Sequence, residues 1–193
     1  MKVINLLGAP SSGKSTTMLG LTYEMKMLGL SVENTPEFYK ELVYEDSDSS
    51  KFGGQLYILG EQNRRLARLL GKNDFAVTDC PLPLIGYYTP EGYIDGFDEL
   101  VKNLYHQYDN VNYFIVRKHD FEDEKRLHNE EQSDKIAIEL PQYFEKNGIV
   151  FKVLESGPDL VHQILADLIN EKVISPEKLA NSRNRTTRKK FTV

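Results

Sequence analysis

Tryptophan is absent from this chain, and cysteine occurs once, at Cys80. A single cysteine excludes an internal disulfide and gives no reason to look beyond a reducing compartment. Cys80 also has no histidine neighbour and no metal-ligand spacing, so it reads as passive. The four histidines, His106, His119, His128 and His162, are scattered without ligand spacing, which argues against a histidine metal site. No apolar run approaches the ~20 residues that span a bilayer, so no membrane partner is expected. The chain runs from Met1 directly into an apolar segment, so no secretory leader is expected and the predicted location is the cytoplasm. Internal repeats and linkers between folded halves are missing as well. Acidic residues are missing from the last stretch, 181–193, which holds Arg183, Arg185, Arg188, Lys189 and Lys190. Taking those five cations from 24 leaves 19 basic against 29 acidic residues, an acidic body with a basic tail. Such a tail either meets an acidic partner such as nucleic acid or serves as a solubilising end.

The remaining composition is that of a globular protein: 193 residues, 40% hydrophobic and 27% charged, enough for one domain with a full core. The expected division is a folded domain over 1–170 and a basic tail over 171–193.

The most informative stretch is Gly8-Ala9-Pro10-Ser11-Ser12-Gly13-Lys14-Ser15-Thr16, of the form G-x-x-x-x-G-K-[ST]. The apolar run Val3–Leu7 before it reads as a buried strand, and Met18, Leu21, Met25 and Leu28 after it recur at helical spacing. Strand, glycine loop and helix together are the context in which this motif cradles phosphate. Backbone N–H groups and the helix N-terminus face the anion, Lys14 reaches the β- and γ-phosphates, and the Ser15 hydroxyl ligates Mg²⁺. The expected cradle is Gly8, Ser11, Ser12, Gly13, Lys14, Ser15 and Thr16, and the expected cofactors are ATP and Mg²⁺.

Further along, Leu30–Asn34 reads as a second strand closed by Thr35-Pro36. Glu37 follows at its carboxyl end, where open α/β sheets keep their ligand crevice; a first-turn glutamate of the helix over 36–44 is the rival reading. Asp46–Ser50 is a polar loop. Residues 54–70 form an amphipathic helix, with Leu56, Leu59, Leu66, Leu69 and Leu70 as its apolar stripe. Its Arg64, Arg65 and Arg68 either hold an anion or form a solvated face. Phe75–Thr78 is a third strand ending in Asp79, where a P-loop protein keeps a metal-site carboxylate. Tyr87–Gly96 is a tyrosine-rich loop whose rings could stack on a base or cap the core. A helix over 97–108 and a strand over 111–116 follow. Residues 117–132 are then dense in charge, as a lid outside the core would be. Arg117 and Arg126 are its candidates for a triphosphate, against the alternative of a solvated helical face. A helix over 133–146, a strand over 149–154 and a helix over 158–170 complete the domain. The pattern predicts an α/β three-layer fold with a five-stranded, mainly parallel sheet.

Taken together, the loop after strand one, Glu37 after strand two, Asp79 after strand three and the arginines after strand four resemble a small P-loop kinase. Over about 1–170 the chain is similar to nucleoside and nucleotide kinases and to the ribosylnicotinamide kinase-like group. Val77-Thr78-Asp79-Cys80-Pro81-Leu82, and Arg126 with Glu130, Glu131 and Gln132, resemble phage-encoded P-loop kinases, including those acting on 5-hydroxymethyluracil in DNA. One departure is Asp79-Cys80, where nucleoside kinases carry Asp-Arg. The resemblance implies that Arg126 belongs to the lid; with the residue reading this gives an expected catalytic set of Lys14, Glu37, Asp79 and Arg126, with Ser15 and Asp79 on the metal and Arg117 on the nucleotide. Either Glu37 or Asp79 would face the acceptor hydroxyl. The implied acceptor is a nucleotide-type hydroxyl, within DNA or on a free nucleoside, nucleoside monophosphate or ribosylnicotinamide. The alternative from another class is a non-kinase P-loop NTPase or nucleotide-dependent binding protein.

Overall fold

The computed structural model describes residues 1–45, 54–121 and 129–179. Asp46–Ser50, Arg126 and the five tail cations lie outside the described residues. Five strands, β1 (Lys2–Leu7), β2 (Val32–Thr35), β3 (Phe75–Thr78), β4 (Asp109–Val116) and β5 (Lys152–Glu155), form one sheet in the order β2-β3-β1-β4-β5. Every pairing is parallel. Among the described residues, seven helices connect and cover it: α1 (Lys14–Met27), α2 (Phe38–Tyr44), α3 (Gln55–Ala67), α4 (Leu82–Tyr87), α5 (Phe97–Tyr105), α6 (Glu130–Lys146) and α7 (Leu160–Asn170). None of the described helices is long and apolar enough to cross a membrane.

A parallel sheet covered on both faces needs strands apolar on both sides, and β1 shows why. Val3 and Leu7 enter one core with Phe38, Ile58, Leu82, Val101 and Leu140, while Ile4 and Leu6 enter the other with Met18, Leu21, Ile164 and Leu168. The result is three layers: α1 and α7 beneath, the sheet between, and α2 to α6 above. Asn5 is the polar exception in β1. Its amide nitrogen donates to the Oδ1 atoms of Asn110 and Asn112, each at 2.9 Å, which accounts for an asparagine on the otherwise apolar β4 run.

Several elements differ from the sequence expectation. The inward face of α3 is Ile58, Leu59, Gln62, Arg65 and Leu66, so Leu56 and Leu70 of the expected stripe are exposed. Leucine content alone had set that stripe, whereas the i, i+3, i+4 spacing of the buried set runs through Gln62 and Arg65. Helix α4 was hidden by Pro81 and Pro83, which look like breakers but sit at the N-cap and first turn, where a missing N–H costs nothing. Helix α6 takes the last residues of the expected lid, because Asn129 and Gln132 form a reciprocal capping box that starts it at Glu130. Residues past 170 still pack: Ile174 is fully buried in the lower core, and Lys178 pairs with Asp74 at 2.8 Å. Val173 and Leu179 pack against the same core, so contacts with the body continue past Asn170.

Candidate active site

The carboxyl ends of the strands converge on one region. Parallel register sets Thr35 of β2 beside Thr78 of β3, so Pro36-Glu37 and Asp79-Cys80 leave the sheet side by side. Thr78 Oγ1 donates to the Thr35 carbonyl oxygen at 2.9 Å and accepts the Cys80 N–H at 3.2 Å, fixing both exits. Asp79 is buried, and its two oxygens are both engaged. Oδ2 accepts the Ser15 hydroxyl at 2.5 Å, and Oδ1 accepts the Glu37 N–H at 2.9 Å.

The loop between β1 and α1 has the backbone its glycines predict. Gly8 has φ +145°, and a Cβ there would lie 2.7 Å from the Ile115 carbonyl oxygen. Gly13, at φ 87°, caps α1 in the left-handed region, and Ser11 also takes a positive φ of 61°. Lys14 Nζ donates to the Gly8 and Ala9 carbonyl oxygens, each at 2.8 Å, so the lysine curls back over its own loop. Ser12 Oγ is buried and has no hydrogen-bond partner among the described residues.

A cavity of about 570 Å³ opens over this loop. Residues 10–16 floor one part; Glu37, Asp79 and Cys80 stand beside it; α2, α3 and α4 wall the rest through Tyr39, Lys40, Val43, Tyr44, Gln55, Ile58, Leu84, Ile85 and Tyr88. Burial, with the nearby Glu37 and Asp79 charges, pushes the Cys80 thiol well up, so no reactive thiolate forms there. Burial and the Glu37 charge likewise push the Tyr88 phenol up, keeping it a neutral hydroxyl.

The predicted residues divide. Ser11, Ser12, Gly13, Lys14, Ser15, Thr16, Glu37 and Asp79 all line this cavity, whereas Arg117 does not. The Arg117 guanidinium pairs with Glu130 at 3.3 Å and Asp134 at 2.5 Å on α6, and lies 5.1 Å from the Phe121 ring. It ties β4 to α6 instead of facing the loop. On α3, Arg64 and Arg65 are already paired with carboxylates. Arg65 is held by Glu41 at 2.9 and 2.5 Å, by Glu61 at 3.4 Å and over the Phe38 ring, and Arg64 pairs with Glu61.

Sequence reasoning passed over several residues that shape the site. Gln62 is fully buried; its Oε1 accepts the Phe38 N–H at 3.0 Å and its Nε2 donates to the Pro36 carbonyl at 3.4 Å, gripping the turn that carries Glu37. Ser133 Oγ donates to the Pro10 carbonyl at 2.8 Å and ties α6 to the loop. His119 lines the cavity; its Nδ1 lies 2.8 Å from the Asp120 carbonyl oxygen, and its Nε2 would be 3.8 Å from a Cβ at Gly13. Only the tyrosine-rich loop gave any signal, and of its rings Tyr88 reaches the cavity, while the Tyr87 hydroxyl donates to Glu139 on α6.

The family model described as an AAA domain matches residues 3–158, most of the chain. The chain belongs to this AAA-domain family. Among curated proteins, none matches it. Among solved structures, this AAA-domain chain is similar to a deoxyadenosine kinase from M. mycoides with bound dCTP, at 18% identity and a TM-score of 0.55. That match covers 89% of this chain and 100% of the other. A second structure of that kinase, with dCMP and a flexible dCDP bound, matches at 19% identity and a TM-score of 0.49, covering 87% and 98% of the two chains. At 18% identity the first of these likenesses bears on the fold alone, a parallel α/β sheet flanked by helices.

Proposed function

We propose that this protein is an ATP-dependent kinase that transfers the γ-phosphoryl group to a hydroxyl of a nucleotide-type acceptor. The observation that carries the reading is the double engagement of Asp79, which joins the loop serine to the backbone of a second carboxylate residue, Glu37, beside one cavity. A phosphate loop alone serves any nucleotide-binding protein. A second carboxylate in a cavity large enough for an acceptor as well as phosphates serves transfer.

Ser15 and Asp79 would hold Mg²⁺; among the described residues no cluster of three or more His, Cys, Asp or Glu side chains gathers, so phosphate oxygens and water would complete the coordination. The ion supplies charge neutralisation on the transferring group when bound. In the transfer, the acceptor oxygen bonds to the γ-phosphorus, the bond from the bridging β–γ oxygen to that phosphorus breaks, and ADP leaves. The hydroxyl proton passes to a carboxylate. Both Asp79 oxygens are already engaged, which supports Glu37 in that role. Lys14 and the loop amides stabilise charge on the transferring oxygens. The M. mycoides enzyme, named a deoxyadenosine kinase, supports an acceptor of nucleoside type.

The test is transfer of radiolabelled γ-phosphoryl from ATP to a panel of nucleosides, nucleoside monophosphates, ribosylnicotinamide and hydroxymethylated DNA. Label in an acceptor supports the reading. Phosphate release that no acceptor stimulates would favour the second reading, an NTPase, to which the AAA-domain membership lends weight. Within the kinase reading, an acceptor held in DNA is supported by the acid-free tail cations. Deleting 181–193 should then weaken DNA phosphorylation and flatten its salt dependence, because fewer counterions are released. Transfer to a free nucleoside should be indifferent to that deletion.

A further inference from the structure

Among the described residues, one lysine of the cavity wall is matched neither by the loop nor by a carboxylate. Lys40 lines the cavity from α2, and its ammonium lies 5.9 Å from the centre of the Tyr44 ring. The cations around it are otherwise spoken for: Arg65 by Glu41 and Glu61, Arg64 by Glu61, and Arg117 by Glu130 and Asp134. Glu41, the carboxylate next to Lys40 in sequence, gives both oxygens to Arg65. Among the described residues no carboxylate pairs with Lys40, which stands at the wall of a cavity that also contains the Glu37 and Asp79 carboxylates.

We propose that Lys40 binds a phosphate on the acceptor, so that the molecule phosphorylated here is itself a phosphate-bearing nucleotide and not a neutral nucleoside; this rests on the kinase reading above. Glu37 is the N-cap of α2, and Lys40 follows on the next turn. One turn is about 5 Å of rise, the scale that separates a hydroxyl from a phosphate on a single nucleotide. Carboxylates at the loop would repel an anionic acceptor, and a cation on the same wall offsets that repulsion while fixing which end of the acceptor points at the loop. Between them, Tyr39, Tyr44 and Tyr88 offer ring faces and edges to a base, with Val43, Ile58 and Leu84 as apolar wall. The phosphate could be the monoester of a free nucleotide or a diester within a strand. The recognising chemistry is the same for both.

The experiment is equilibrium binding to the full chain with Mg²⁺ and a non-hydrolysable ATP analogue, paired with turnover using ATP. The acceptors are the four common deoxynucleosides, 5-hydroxymethyldeoxyuridine and ribosylnicotinamide, each also as its 5′-monophosphate, and the deoxynucleosides also inside trinucleotides. A phosphorylated form should bind more tightly than its nucleoside, and Lys40→Gln should weaken that form by about tenfold, as for one charge-assisted contact. Lys40→Arg should restore most of it, affinity for the parent nucleoside should not move, and salt should narrow the difference. Preference for the monophosphate identifies a free nucleotide; preference for the trinucleotide identifies a strand. Equal loss on charged and neutral acceptors, no preference for any phosphorylated form, or no binding by any acceptor overturns the proposal. A Lys40 effect on binding without transfer would remove the kinase reading, and with it the acceptor role, and leave only phosphate binding at Lys40. Transfer to a neutral nucleoside untouched by Lys40→Gln would do the reverse.

Discussion

The Ser15 hydroxyl donates to Asp79 Oδ2 at 2.5 Å, linking the phosphate loop to the end of β3. The same carboxylate accepts the Glu37 N–H through its other oxygen, so one side chain sets the spacing of three strand ends. Asp79→Asn tests what the charge adds beyond this scaffolding. The asparagine oxygen can still accept the Glu37 N–H, so the fold should hold, while the proposed metal seat would lose its charge. The Mg²⁺ concentration for half-maximal rate should rise about tenfold or more at saturating ATP, for a loss of roughly 1.4 kcal/mol. An unchanged midpoint and rate would reduce Asp79 to a structural residue.

Lys14→Ala removes the ammonium that curls over Gly8 and Ala9. In the proposed transfer its charge-assisted contacts would strengthen toward the transition state, so turnover should fall by about 10²–10³-fold. A circular dichroism melt close to that of the parent should accompany the loss. Full turnover in the normally folded variant would sink the assignment of the loop.

How much of this was legible in the sequence depends on how local the cause was. The P-loop was legible because its glycines, lysine and serine are contiguous and flanked by an apolar strand and an amphipathic helix. The positions of Glu37 and Asp79 were legible because both follow apolar runs, and in a parallel sheet such exits share one edge. The pairing of Arg117 with Glu130 and Asp134 was not legible, because those partners depend on where α6 begins, and the helix starts before the expected Ser133. The cavity wall was hidden because α4 reads as a proline-broken segment. The role of Gln62 was hidden because its partner, Phe38, lies on a different helix.

Gln62→Ala would leave the Phe38 N–H buried without an acceptor and free the turn that carries Glu37. An orphaned buried donor costs about 1–3 kcal/mol, and the loss should appear as a lower chemical-denaturation midpoint. If the grip positions Glu37, kcat should fall further than ATP affinity does. A stability loss with kcat intact would limit Gln62 to the fold.

Acid stability should depend on Arg65. Its guanidinium, hydrogen-bonded to Glu41, holds that carboxyl below its usual range against a smaller opposing effect of burial. Glu61 is also held low, first by Arg64 and then, after burial acts against it, by Arg65. A carboxylate depressed in the folded state adds stability that is fully present above its unfolded pKa of about 4.3 and is lost as pH falls through the lower folded value. Arg65→Gln should release Glu41 and leave Glu61 with Arg64. At neutral pH the variant should lose about 1–2 kcal/mol, less than the ~3–5 kcal/mol of a fully buried pair, because the Glu41 side chain is 48% exposed. The two proteins should then converge as the pH drops from about 5 toward 3, since the parent loses there what the variant never had. Denaturant midpoints measured across that range read the difference directly. Parallel curves for parent and variant, with a constant gap down to the lowest pH, would show that Arg65 acts through its packing on Phe38 and not through the carboxylate it binds.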